Sequence, residues 1–163
     1  MISLIDLNCD FVSQAIRLLE NMNPTIYSKP CREVFSSSIG QHMRHCVEHY
    51  DELFIALSEN QVVNYDQRPR DLDVERDQNI AIARLHQIGE KLASLPKACT
   101  PMQTRDAEVD FSSASSLCRE LQFLVSHTVH HFALISVIAA FNGIQTPESF
   151  GIAPATFKAR QTT

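Results

Sequence analysis

Apolar residues recur at helical spacing in four long segments of this chain, each bounded by residues that start or stop helices. The first, over 4–22, sets Leu4, Phe11, Ala15, Leu18, Leu19 and Met22 near one face. Asn23 and Pro24 end it, because proline cannot continue a helix and restricts the residue before it. A linker containing Tyr27, Lys29, Pro30 and Cys31 follows, and Ser36, Ser37 and Ser38 then offer N-caps for a second helix over 39–59. Its stripe is Ile39, Met43, Cys46, Tyr50, Leu53 and Leu57. The polar stretch 60–72, with Arg68, Pro69 and Arg70, reads as a loop. A third helix over 74–95 carries Val74, Ala81, Leu85, Ile88, Leu92 and Leu95, and Pro96 closes it.

The segment 97–111 has no clean period and could hold a short extended pair. The serines at 112, 113, 115 and 116 introduce a fourth helix over 117–141, ended by Asn142-Gly143. Its stripe is Leu117, Leu121, Leu124, Phe132, Ile135 and Ala139. The tail has room for a turn of helix near Ala155. Four amphipathic helices on short connections predict an all-α fold: a four-helix bundle with an irregular segment before its last long helix and a short C-terminal tail. A length of 163 residues fits one domain over 1–163.

Composition narrows the function. Four glycines and no tryptophan speak against a turn-rich β architecture. A net charge of −5 speaks against nucleic acid, which needs a basic face. The start, MISLIDLNCDF, has no basic n-region and is a poor signal peptide. The longest apolar run, 132–141, is about half of what a bilayer requires. Five cysteines (Cys9, Cys31, Cys46, Cys99 and Cys118) are odd in number and without paired spacing, as expected of reduced thiols in a cytoplasmic protein.

The chemistry lies in the histidines. Six of seven fall in two clusters: His42, His45 and His49 on the second helix, and His127, His130 and His131 on the fourth. Neutral imidazole is the commonest transition-metal ligand, and a helix presents residues four apart on one face. At about 100° per residue, His42 and His49 lie about 60–80° from the centre of the apolar stripe, and His45 about 120° to the same side. His131 falls within the apolar arc of the fourth helix, His127 about 80° off it, and His130 further round. The histidines thus flank the core. Ordinary boundary histidines would look the same singly, but not six on two helices.

Three imidazoles match catalytic zinc sites, which keep a fourth position for water, and imidazole also suits nickel, iron and copper. Rival patterns are missing. No Glu-x-x-His pair supports a di-iron bundle, and neither HExxH nor CxxC occurs.

Two stretches, SSIGQHMRHCVEHYDELF and SSLCRELQFLVSHTVHHFALI, extended by ESFGIAPATF, resemble the DinB-like superfamily of four-helix-bundle proteins. The likeness covers the second helix and everything from Ser112 onward; the first and third helices match in pattern and length only. It implies a metal held by one histidine of the second helix and an HxxxH pair of the fourth. The pair falls on His127 and His131, and the lone ligand on His45, directly before CVEH; helical geometry favours His42 or His49 instead. The resemblance further implies one divalent transition-metal ion, zinc or nickel first and iron next. It also implies a small-molecule substrate and a low-molecular-weight thiol whose thiolate the metal would hold.

Other residues read more plainly. Cys46, on the core stripe, is expected to be a buried inert thiol. Glu48, Asp51 and Glu52 belong to a solvated face, with orientation of the imidazoles as the sharper option. Arg119-Glu120 is a surface pair, or an anchor for a substrate carboxylate or a loop. Phe150 and Phe157 either cover the open end of the bundle or finish its core, and His86 stands alone. The expected protein is a cytoplasmic metal-dependent transferase or hydrolase, with no nucleic acid or membrane partner and with homodimerisation open. Its rival is a non-catalytic metal-binding or dimerisation bundle.

Overall fold

A computed structural model of the protein describes residues 3–34, 36–59 and 61–162; Asn60, where the 60–72 loop was expected to begin, and the first two residues lie outside them. The first helix, α1 (Leu4–Glu20), opens on a capping box in which Ser3 accepts from the Asp6 amide and Asp6 returns the bond. A single turn, α2 (Pro24–Tyr27), follows within the linker. Ser38 caps α3 (Ile39–Ser58) by the same device with Gln41.

The third expected helix is two. α4 (Leu72–Arg76) stops at Asp77, whose extended backbone lets its carboxylate cap α5 (Gln78–Ala93) through the amides of Asn79 and Ile80. An Asp in mid-pattern competes for backbone amides and restarts the helix. Ser116 caps α6 (Leu117–Phe141), which ends at Asn142 with Gly143 at φ +72°, the left-handed position where glycine carries no Cβ penalty. The tail forms α7 (Pro154–Arg160).

Helix α1 packs against α5 and α6, and so does α3, so the bundle runs α1–α5–α3–α6 around its core. The four stripes face inward; among the described residues Leu19, Met43, Leu53, Leu92, Leu124 and Ile135 are fully buried. By length and composition α6 could cross a bilayer, which exceeds the expectation from its apolar run. Here it is a core helix, and its Thr128 hydroxyl lies 3.4 Å from Tyr50 Oη, which donates to Asn8 Oδ1 at 2.9 Å. Phe150 finishes the core, stacked 4.4 Å from Phe132. The turn at Gly151 (φ +73°) lies so close to α6 that a Cβ there would meet the Ala133 backbone.

The segment 97–111 contributes to a small sheet. β2 (Pro101–Asp106) and β3 (Phe111–Ser116) form an antiparallel hairpin, and β1 (Val62–Val63) pairs parallel to β2. The 60–72 connection is therefore not a free loop but is tied to the hairpin beside α3. The expectation of five reduced thiols is corrected: Cys99 is disulfide-bonded to Cys118, and Cys9, Cys31 and Cys46 are free. The pair stands 19 positions apart, so no spacing motif marked it; the hairpin base brings it together, with Leu117 N donating to Thr100 O at 2.8 Å.

Candidate metal centre

Helices α3 and α6 run antiparallel side by side, so their histidine clusters meet: His42 faces His131, and His49 lies against His127 and Phe123. His45, His127 and His131 each offer one ring nitrogen, all within 4.8 Å of one another. Nε2 of His45 lies 3.2 Å from Nε2 of His127. His45, rather than His42 or His49, completes this set. The angle measured from one apolar stripe placed His42 and His49 nearer the core; in the structure α3 packs against both α5 and α6, and His45 lies beside His127 of α6.

The other two histidines of α3 contact these three. His42 Nδ1 lies 3.0 Å from His131 Nδ1, and His42 Nε2 lies 2.8 Å from Ser37 Oγ. His49 is buried, donates from Nδ1 to the His45 carbonyl oxygen at 2.8 Å, and stacks on His127 at 3.9 Å. His130 is exposed at the edge, and His86 is exposed on α5, away from the cluster.

His42, His45, His49, His127 and His131 are each pushed toward the neutral form. Burial is the main cause at each, with neighbouring cations and imidazoles adding to it. His45 falls to about 3, with Arg68 the next contributor, and His127 to about 4. His49 and His131 fall to about 2, and His42 is lowered as well. Neutral imidazole is the form that binds metal.

Residues from outside the two motifs complete the surroundings. Arg68, in the 60–72 connection, donates from Nη2 to His45 Nδ1 at 3.2 Å and from Nη1 to the Tyr65 carbonyl oxygen. Its Nε lies 3.6 Å from Glu48 Oε2. Glu48 is not on a solvated face: it is 3% exposed and also accepts from the Asp71 amide and faces Arg44. Tyr65 stacks on His49 at 5.1 Å and donates from its hydroxyl to Glu120 at 2.9 Å. Glu120, fully buried and also accepting from Ser115, is thus the loop anchor among its expected roles. Arg68 and Tyr65 carried no motif. Nothing in the polar 60–72 stretch marked them in sequence.

The donor set suits a transition metal. In a tetrahedral zinc site with Zn–N bonds of about 2.0–2.1 Å, ligand nitrogens stand about 3.3 Å apart, close to the 3.2 Å between His45 and His127. His127 Nδ1 is buried without a hydrogen-bond partner. It is the ring nitrogen turned away from His45, so it is an unmet outer contact of the ring and not a ligand position. The three residues are half-buried. Surface cavities of about 500 to about 630 Å³ lie between α3 and α5 and around α1, away from the histidines.

No family model matches the chain. Among solved structures it is similar to YfiT from Bacillus subtilis, described as a "probable metal-dependent hydrolase with an unusual four-helix bundle topology". The likeness has a TM-score of 0.62 at 17% identity and covers 87% of each chain, and it shows the fold. Among curated proteins, FK506-binding protein 5 from Rhizopus delemar is 33% identical over 105 residues, which are 60% of this chain. The match spans 27% of that relative's length.

Proposed function

We propose that the chain is a DinB-like protein that binds one divalent transition-metal ion through His45, His127 and His131 and uses it in hydrolysis or group transfer on a small molecule. The observation that carries this reading is the convergence of three neutral imidazoles from two helices, all within 4.8 Å. Zinc and nickel suit three imidazoles best, with iron next. The description of YfiT favours hydrolysis over transfer to a thiol; a low-molecular-weight thiol cosubstrate rests on the family resemblance alone. The Cys99–Cys118 disulfide removes the reduced-thiol ground for a cytoplasmic location, and the metal reading does not require one.

Bound there, the ion supplies Lewis acidity to a substrate oxygen or thiol. The chain's own residues hold the ligands. With His131 binding through Nε2, its Nδ1–H donates to His42 Nδ1, whose Nε2–H donates to Ser37; this relay fixes the ring and its tautomer. His49, wedged between His127 and Tyr65, fixes the plane of the His127 ring.

Elemental analysis and zinc titration test the reading. About one equivalent of zinc or nickel is expected in the protein as purified. His127→Ala and His131→Ala should each lower zinc affinity by roughly a hundredfold or more, beyond the loss expected of an outer-shell partner. Metal-free protein whose melting temperature ignores added zinc and nickel overturns it. A second reading, metal storage or structural binding without catalysis, is favoured by the position of those surface cavities away from the histidines. Its mark would be a fourth protein ligand closing the site, visible as cobalt absorption that does not respond to added small ligands.

A further inference from the structure

Arg68 stands where a bound metal would not permit it to stay. A guanidinium only donates, so its 3.2 Å contact takes the lone pair of His45 Nδ1. A neutral imidazole has one proton, which must then sit on Nε2, pointing at His127 Nε2. Metal binding through Nε2 moves that proton to Nδ1, where two N–H donors would face each other. Metal binding through Nδ1 instead takes the position Arg68 occupies. By either nitrogen, ligation by His45 and the Arg68–His45 bond exclude one another.

Displacement would not send Arg68 into solvent. Its Nη1 remains bonded to the Tyr65 carbonyl oxygen and its Nε stays beside Glu48, itself fixed by the Asp71 amide and Arg44. Only the Nη2 edge loses its partner, and the side chain is 20% exposed. The chain thereby keeps a tethered cation with a free donor edge next to His45. A planar guanidinium matches a carboxylate in charge and geometry. The other guanidinium beside Glu48, Arg44, is engaged with Glu48 and Glu75; the two arginines and two glutamates sum to zero charge, so Arg68 offers a donor edge without excess positive charge, which suits a monoanion better than a dianionic phosphate.

We propose that Arg68 switches partner when the site is loaded, leaving His45 and holding the carboxylate of an anionic substrate beside the metal. This rests on the metal reading above and names its substrate class. Arg68 is then a specificity-determining residue, and in the metal-free protein a competitor for the ligand.

Three proteins test it: the parent, Arg68→Met, which keeps the stem without charge or donors, and Arg68→Lys, which keeps the charge without the fork. Zinc affinity is measured by competition with a chromophoric chelator. Carboxylate binding is read from the visible spectrum of the cobalt-loaded protein on adding acetate, with inorganic phosphate as the second arm. Arg68→Met is expected to bind zinc about tenfold more tightly than the parent, because a competing donor and a like charge are gone. It should bind acetate at least tenfold more weakly, with Arg68→Lys between. Zinc affinity equal to or below the parent's in a folded Arg68→Met overturns the exclusion. Unchanged acetate affinity, or a parent that prefers phosphate, overturns the substrate class. If neither parent nor variants bind zinc or cobalt, the metal reading itself falls; in the other two cases it stands without the Arg68 switch.

Discussion

Acid should destabilise the metal-free protein well above the pH at which its carboxylates titrate. The four imidazoles at His45, His49, His127 and His131 have folded-state values of about 3, 2, 4 and 2, all depressed chiefly by burial. Unfolded, each titrates near 6.5. Between those limits the unfolded chain binds more protons, so stability is full above about pH 6.5 and declines as pH falls toward the folded values. At pH 5.5 each imidazole kept neutral costs about 1.4 kcal/mol relative to pH 8. Four give a ceiling of about 6 kcal/mol, and half-buried rings that water can reach should realise about half of it, or ~3 kcal/mol. For a chain of this length that lowers the melting temperature by roughly 6–12 °C. Thermal melts in a chelator at fixed ionic strength, at pH 8 and 5.5, measure it directly. The double variant His45→Gln/His131→Gln, which cannot titrate at two of the four sites, should lose about half of the difference. A melting temperature that holds within 2 °C between the two pH values, or an identical drop in the double variant, would refute the protonation states assigned to the cluster.

Other residues give sharper single tests. His42→Phe should keep the fold but cost roughly 10–100-fold in zinc affinity, because His131 loses the group that sets its tautomer; chelator competition reads it. Tyr65→Phe leaves the buried Glu120 without one of its donors and should lower stability by about 1–3 kcal/mol in urea unfolding. Gly40→Ala would drive a Cβ into the Glu75 carbonyl oxygen and crowd Tyr27, at a cost of roughly 1–3 kcal/mol, seen as a lower urea midpoint without change in slope.

The bundle was legible because four stripes at a 3.6-residue period, closed by serine caps, proline and Asn142-Gly143, describe helices that each bury one face. Where the reading slipped, a short-range competitor intervened. Asp77 caps a new helix inside a continuous apolar pattern. Val62–Val63 is too short to show alternation and becomes a strand only because β2 lies beside it. The Cys99–Cys118 bond depends on the hairpin closing, which no spacing encodes. Glu48 looked solvated by angle, yet Arg44, Arg68 and the Asp71 amide bury it.

The candidate site divides along the same line. Histidines on regular helices can be placed from spacing, but the groups that tune them arrive on an irregular connection. That connection is held by three independent ties: β1 pairing with β2, Tyr65 on Glu120, and Arg68 on Glu48. Holding it there packs a guanidinium against neutral imidazoles, with no carboxylate within the histidine set and His127 Nδ1 unpaired. As a purely structural arrangement this has a cost: below about pH 6.5 each imidazole forgoes protonation, and a buried polar atom goes unbonded. Five apolar side chains would pack the same helix boundary with none of that cost. Retaining five histidines there makes physical sense if the neutral nitrogens are used, and a metal ion is the ligand that three of them, at these separations, fit.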